Sequence, residues 1–266
     1  AAVSATKVWN DPATAQAQRP SVGFQLYRQA KDPEVPGSMY GTEEAVGDPE
    51  ALPTTGDLKV DWTDLERTDD QGREYVFTVK EGVFDGDGKF SEGLPDHYNV
   101  ATEENEAGIV VTNTYTATGS LTLSGVKTFS GRAATEEDVF EFKLYKDSVD
   151  EANLLQTKTV TGSGNIAFDA IIYNLDLQAD PVLNDLGNHT YIVVETVPDP
   201  NPKNGITYDE TQYTVTVTVT DNGDGTLDVQ PTENHDALDF TNTYAATGSL
   251  TLSGVKTFSG RAATEE

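Results

Sequence analysis

Apolar and polar residues alternate over short runs along almost the whole chain. The runs are Ser21–Arg28 (SVGFQLYR), Glu74–Glu81 (EYVFTVKE), Gly108–Tyr115 (GIVVTNTY), Ser120–Phe129 (SLTLSGVKTF), Val139–Lys146 (VFEFKLYK), Thr190–Thr196 (TYIVVET), Gln212–Thr220 (QYTVTVTVT) and Leu238–Tyr244 (LDFTNTY). Their period of two and their Val, Thr, Tyr and Phe content predict half-buried strands, and helix-period patterns are nearly absent. Gly, Pro, Asn and Asp punctuate the runs, and Asp221–Gly225 (DNGDG) reads as a hairpin loop. Many short strands with such turns predict β-sandwiches.

Side chains two apart share a face of a strand, so each run can be sorted into faces. Val3, Ala5, Lys7 and Trp9 share one, as do Tyr75, Phe77, Val79 and Glu81, and Ile109, Val111, Asn113 and Tyr115. Farther on, Leu121, Leu123, Lys127 and Phe129 share a face, as do Tyr191, Val193 and Glu195, and Phe240, Asn242 and Tyr244. Each apolar stripe holds one polar intruder, and the order Lys, Glu, Asn occurs twice.

The repetition is also literal. Thr112–Glu137 recurs as Thr241–Glu266 and differs at a single position, Thr116 against Ala245. Such self-similarity marks a tandem array. Boundaries are expected near Thr116 and Ala245, giving module one at 1–116 and module two at 117–246, with 247–266 as the opening strand of a further repeat. The TATG and AATG connectors are only a few residues long, so neighbouring modules are expected to be stiffly coupled.

Composition narrows the classes. The 45 acidic against 17 basic side chains leave a formal net charge of −28, spread along the chain, which disfavours nucleic acid and anionic membranes as partners. There is no cysteine, so disulfides, thiolate metal sites and Cys nucleophiles are excluded, and a chain of this length folds without them. No run of 18 or more apolar residues offers a membrane span. With no leader pattern at residue 1, the chain reads as a segment of something longer.

The six intruders carry the candidate chemistry. An unpaired buried charge is costly, so Lys7, Glu81 and Asn113 are expected to meet, as are Lys127, Glu195 and Asn242. Burial lowers a Lys pKa and raises a Glu pKa. A neutral amine is a nucleophile, and a protonated Glu can polarise the Asn carbonyl and shuttle protons. Attack on the amide carbon would expel ammonia and leave a Lys–Asn isopeptide bond, helped by the effective concentration of a fixed contact. The alternative on these residues alone is a buried Lys–Glu ion pair beside a hydrogen-bonding Asn, with no covalent bond.

Module one resembles a collagen-adhesin B-type (CnaB) repeat at Lys7–Asp11 (KVWND), Arg19–Arg28, Tyr75–Glu81 and Val111–Tyr115 (VTNTY). Module two resembles the isopeptide-linkage domain of streptococcal major pilins at Gly125–Arg132 (GVKTFSGR), Phe140–Tyr145, Tyr191–Glu195, Ile206–Gly225 and Phe240–Tyr244. The resemblance implies an all-β, elongated chain of tandem immunoglobulin-like (CnaB-type) β-sandwich domains from the stalk or shaft of a Gram-positive, cell-wall-anchored surface protein. It implies isopeptide bonds Lys7–Asn113 and Lys127–Asn242, with Glu81 and Glu195 as single-turnover catalysts. Lys256 is the equivalent lysine of the last repeat, without its Glu and Asn partners, and is expected to stay a free amine.

Other signals are weaker. Leu52–Gly56 (LPTTG) matches the sortase pentapeptide but lacks the apolar span and basic tail of a sorting signal, so a surface loop is expected. Lys203 in PNPKN loosely resembles a pilin polymerisation lysine but sits in the wrong loop. Asp85–Lys89 (DGDGK) and Asp221–Gly225 lack the distal bidentate Glu of a calcium loop and read as turns. His97, His189 and His235 make no ligand pattern. No phosphate loop or Ser–His–Asp arrangement stands out, and Trp9 and Trp62 read as core residues. No metal or cofactor is expected, and no enzyme, since the one reactive constellation would be consumed by its own reaction. The expected partners are neighbouring repeats, with a host surface ligand held through another domain. The rival reading is a host-ligand-binding adhesin domain, with the Pro- and Gly-rich insert Asp32–Gly56 of module one as its candidate and an exposed apolar patch as its signature.

Overall fold

The computed structural model describes residues 1–232, 234–257 and 259–260. Strand takes up 54% of the chain and helix 3%, so the alternating pattern is realised as an all-β fold of two domains in tandem.

Module one contains β1 (Val3–Asn10), the short helix α1 (Ala13–Gln16), β2 (Val22–Lys31), β3 (Met39–Ala51), β4 (Lys59–Trp62), β5 (Tyr75–Phe84), β6 (Phe90–Glu92), β7 (Tyr98–Asn105) and β8 (Gly108–Leu121). One sheet runs β4-β1-β8 with β7 on the far side of β8, and the other runs β3-β2-β5-β6. Ala5, Val22, Phe24, Leu26, Val79, Ile109 and Val111 form the core, with Trp62 packed at its margin. The first and last strands are parallel neighbours, with Lys7 opposite Val111 and Trp9 opposite Asn113. The insert Asp32–Gly56 supplies β3, an almost fully exposed edge strand with two register shifts against β2. Such irregularity blunts an open sheet edge.

Module two contains β9 (Ser124–Ser130), β10 (Val139–Lys146), β11 (Leu154–Thr161), β12 (Gly164–Ala167), β13 (Ile171–Asp176), β14 (Leu183–Asn184), β15 (Gly187–Glu195), β16 (Ile206–Thr207), β17 (Gln212–Asp221), β18 (Leu227–Pro231) and β19 (Phe240–Tyr244). Its sheets run β12-β9-β19-β16 and β11-β10-β15-β17-β18. Phe140, Phe142, Leu144, Val193, Val217, Leu238 and Phe240 are buried between them. The terminal strands are again parallel neighbours, with Lys127 opposite Phe240 and Phe129 opposite Asn242. In both modules, therefore, the residue facing the lysine lies two places before the asparagine. Two places is one step along the same face, so both pairs are diagonal neighbours pointing into the sandwich.

The TATG stretch is not an irregular connector. β8 runs through it unbroken; its first half pairs with β1 and β7, and its second half with β13 of module two. The two modules thus share a strand, and the Asp221–Gly225 hairpin docks back on module one. The Tyr115 hydroxyl donates to Asp221 Oδ1 at 2.9 Å and accepts the Gly225 N–H at 2.8 Å. Thr14 hydrogen-bonds Asp221, Gln18 Nε2 donates to the Asn222 carbonyl at 3.0 Å, and the Thr118 N–H donates to the Gly225 carbonyl at 3.1 Å. Gly223 and Gly225 lie at φ +81° and +82°, and a β-carbon there would overlap the Thr14 backbone and the His97 ring. Close approach and left-handed backbone both demand glycine at these two positions.

No strand forms over Ala245–Thr257, where Leu250, Leu252 and Val255 are 83, 85 and 95% exposed. The rest of the stretch expected to open a further repeat falls partly on Phe258 and 261–266, which lie outside the described residues.

Candidate functional site

Lys7, Glu81 and Asn113 come together between the sheets of module one. β1 carries Lys7 and β8 carries Asn113 on one sheet, while β5 brings Glu81 from the opposing sheet. The three are 3, 8 and 0% exposed. Lys7 Nζ lies 3.1 Å from Glu81 Oε1 and 3.5 Å from the Val111 carbonyl. Asn113 Nδ2 donates to the same carboxylate oxygen at 3.0 Å. Glu81 Oε2 and Asn113 Oδ1 are buried without a partner. The Trp9 ring covers the ammonium, its centroid 4.5 Å from Nζ.

Module two repeats the arrangement with β9, β15 and β19. Lys127, Glu195 and Asn242 are 0, 4 and 0% exposed. Lys127 Nζ lies 2.6 Å from Glu195 Oε2, and Asn242 Nδ2 donates to Glu195 Oε1 at 2.5 Å. Asn242 Oδ1 accepts the backbone N–H of Asp209 at 2.8 Å. Phe140 and Phe142 enclose the ammonium, with ring centroids 4.6 and 5.7 Å from Nζ.

Desolvation governs the electrostatics of both triads. Burial pulls the Lys7 ammonium down to about 8 and pushes the Glu81 carboxyl up, each against the pull of the other's charge. Lys127 is lowered and Glu195 raised for the same reason. The shifts narrow the gap between acid and amine, so the neutral tautomer, COOH beside NH2, is more accessible than in water. One carboxyl then touches both the amine nucleophile and the amide nitrogen that would leave. That is an acyl-transfer arrangement with its proton carrier in place.

The other sequence signals fall elsewhere. Leu52 of the LPTTG pentapeptide is buried in the module-one core, and its N–H donates to the Val22 carbonyl. Lys203 is exposed, its backbone bridged to Ile206. Asp85 Oδ1 accepts the Asp87 and Lys89 N–H groups and so closes a tight turn. His97 packs against Gly225, His189 against Tyr173, and the His235 carbonyl accepts the Ser124 N–H. Trp9 and Trp62 are partly buried against the core, as expected. Among the described residues no cluster of three His, Cys, Asp or Glu side chains could hold a metal, and no helix is long and apolar enough to cross a membrane. Met39 and Tyr40 on the insert are exposed, and Arg73 lies over the Tyr40 ring. Lys256 is exposed.

Sequence reasoning missed Asp209, the aromatic lids and the docked hairpin. Trp9 shares Lys7's face two positions on, so that lid was readable. Nothing in the local pattern pairs Asp209 with Asn242.

Each of the two tandem β-sandwiches closes a Lys–Glu–Asn triad between its sheets. Residues 3–114 match the family described as "Cna protein B-type domain" and residues 123–245 that described as "Spy0128-like isopeptide containing domain", so the two modules match two different families. Among solved structures, two B repeat units of the collagen binding protein of Staphylococcus aureus share 18% identity, with 92% of this chain and 49% of that one covered and a TM-score of 0.31. The chain thus spans about half of that protein's solved length. A single B repeat unit of the same protein shares 18% identity over 92% of this chain and 99% of that one, TM-score 0.30. The shaft pilin SpaA of Lactobacillus rhamnosus GG shares 16% over 92% and 98%, TM-score 0.24. No curated protein matches the chain.

Proposed function

We propose that the chain is a stalk segment of a cell-wall-anchored bacterial adhesin or pilus, displayed outside the cell and stiffened by autocatalytic isopeptide bonds Lys7–Asn113 and Lys127–Asn242. Modules 1–116 and 117–246 are the repeating units, and 247–266 begins another. The partners are neighbouring repeats, with a host surface ligand held by another domain. One observation carries the reading: in each module a buried amine and a buried carboxamide, on parallel terminal strands with the same register, both touch one buried carboxyl from the opposing sheet. As a permanent ion pair each would be an expensive way to fill a core. As reactants they are poised.

In module two the Lys127 proton passes to Glu195 Oε2 and the freed amine attacks Asn242 Cγ. The Nζ–Cγ bond forms, Glu195 gives its proton to Nδ2 and takes the second proton from Nζ, and the Cγ–Nδ2 bond breaks to release ammonia, leaving a neutral amide and a protonated Glu195. Lys7, Glu81 and Asn113 take the same parts in module one. Tension entering at one terminal strand would then leave through its covalently joined neighbour, bypassing the rest of the sandwich. No turnover follows, because the nucleophile is consumed.

Intact-mass analysis is expected to place the chain two ammonia molecules below its sequence mass. A mass equal to the unmodified sequence rejects the chemistry.

The pH dependence follows from the paired shifts. Below the raised Glu81 pKa both groups are protonated and the amine is no nucleophile; above about 8 both have lost their protons and no acid remains. Only the pair holding one proton contains the reactive tautomer. Ammonia release from newly folded module one is therefore expected to fall on both sides of the range in which the pair holds one proton, the upper limb near 8. A rate that keeps climbing into strongly alkaline buffer would exclude Glu81 as the acid.

A further inference from the structure

The two triads differ at the asparagine carbonyl. Asn242 Oδ1 accepts the Asp209 N–H at 2.8 Å, whereas Asn113 Oδ1 is buried and unpartnered. The Asp209 donor is also firmly held. Its carboxylate accepts the Thr241 N–H at 2.7 Å and the Thr211 N–H at 2.9 Å, and Thr241 immediately precedes Asn242 on β19. Asp209 follows β16 by two residues, and β16 itself pairs with β19 through Ile206–Tyr244 and Thr207–Thr243. Donor and acceptor are thus tied to one strand on both sides of the contact. The carboxyls differ in the same sense. Glu195 offers one oxygen to the amine and the other to the amide nitrogen, while Glu81 uses one oxygen for both and leaves the second unpartnered.

We propose that the Asp209 backbone N–H is an oxyanion donor for bond formation in module two, and that module one, lacking such a donor, closes its bond more slowly. The inference rests on the cross-linking reading above. As the Lys127 amine adds to Cγ, the carbonyl electron pair moves onto Asn242 Oδ1, where the Asp209 N–H already points. Collapse of that oxyanion restores the carbonyl and expels Nδ2 as ammonia with the proton from Glu195, whose carboxylate takes the proton that Nζ loses in becoming the amide nitrogen. A fixed donor in a dry site stabilises developing charge without reorganising, and removing one such donor typically slows acyl transfer roughly 100- to 1,000-fold. The Asp209 carboxylate is a positioning group that aims its own N–H.

The test is a time course on the full chain made by in vitro translation. Samples are quenched in acidic denaturant, and the Lys7–Asn113 and Lys127–Asn242 cross-linked peptides are quantified by mass spectrometry. The module-two peptide is expected to lead by at least about tenfold in rate. A second chain carries the α-hydroxy analogue of aspartate at 209, which replaces only that N–H by oxygen and keeps the carboxylate. Its module-two bond is expected to form roughly 100-fold more slowly, with module one unchanged. Equal rates in the two modules of the unaltered chain overturn the inference even if the ester chain folds poorly, and so does an ester chain that cross-links at the unaltered rate. Absence of both linked peptides at every time is a separate result, and it removes the cross-linking reading itself.

Discussion

Glu195→Ala is expected to abolish the module-two bond and spare that of module one, so the chain falls one ammonia short of its sequence mass rather than two. The reason is positional. Among the described residues, Glu195 is the only carboxyl whose oxygens touch both Lys127 Nζ and Asn242 Nδ2. Without it the amine keeps its proton and the leaving nitrogen receives none. Asp209 does not substitute, because its carboxylate accepts backbone N–H groups of Thr211 and Thr241. Ala also removes the counter-charge of a lysine that is 0% exposed, and stripping one partner from a buried pair costs about 3–5 kcal/mol. Glu195→Gln keeps the shape and one of the two acceptor oxygens, and is expected to be equally unlinked. Peptide mapping that still finds Lys127 joined to Asn242 in either variant would remove Glu195 from the chemistry.

The second large effect concerns stability. Asn242→Ala leaves Lys127 without a carbonyl to attack, and module two is expected to lose about 4–5 kcal/mol of unfolding free energy, by analogy with a disulfide closing a loop of roughly 100 residues. The bond would join β9 to β19 and so enclose nearly all of the module. Urea unfolding read through module two, with module one as the internal reference, measures the difference. Under tension the contrast is expected to be sharper. The cross-linked module adds almost no length when pulled from its ends, whereas the variant pays out its whole chain at unfolding. A variant whose urea midpoint and extension match those of the parent would show that no covalent link had borne either load.

The strands and the buried intruders were legible because alternation is a local signal. In β5, β8 and β19 the apolar phase assigns each residue to a face using only its neighbours two places away. The same parity put Lys7, Glu81 and Asn113, and Lys127, Glu195 and Asn242, on inward faces, and all six are buried. The literal repeat similarly announced a second domain before any contact was known.

Other features were not legible, because they depend on where distant segments meet. The TATG stretch looks like a linker, since small polar residues suit a loop; β13 makes it a strand by supplying hydrogen bonds from more than fifty residues away. Asp221–Gly225 reads as a turn from composition, and only the packing of module two against Thr14, His97 and Tyr115 turns it into a dock. Asp209 has no periodic signal at all, and its importance is a direction in space, an N–H aimed at one carbonyl. By itself, the sequence determined which side chains leave water, because that choice follows from alternation and the cost of exposing apolar surface. The tertiary structure alone decided which buried groups touch and which are left without a partner, because contact distances and hydrogen-bond angles arise from sheet register and sheet packing, and no single strand encodes either.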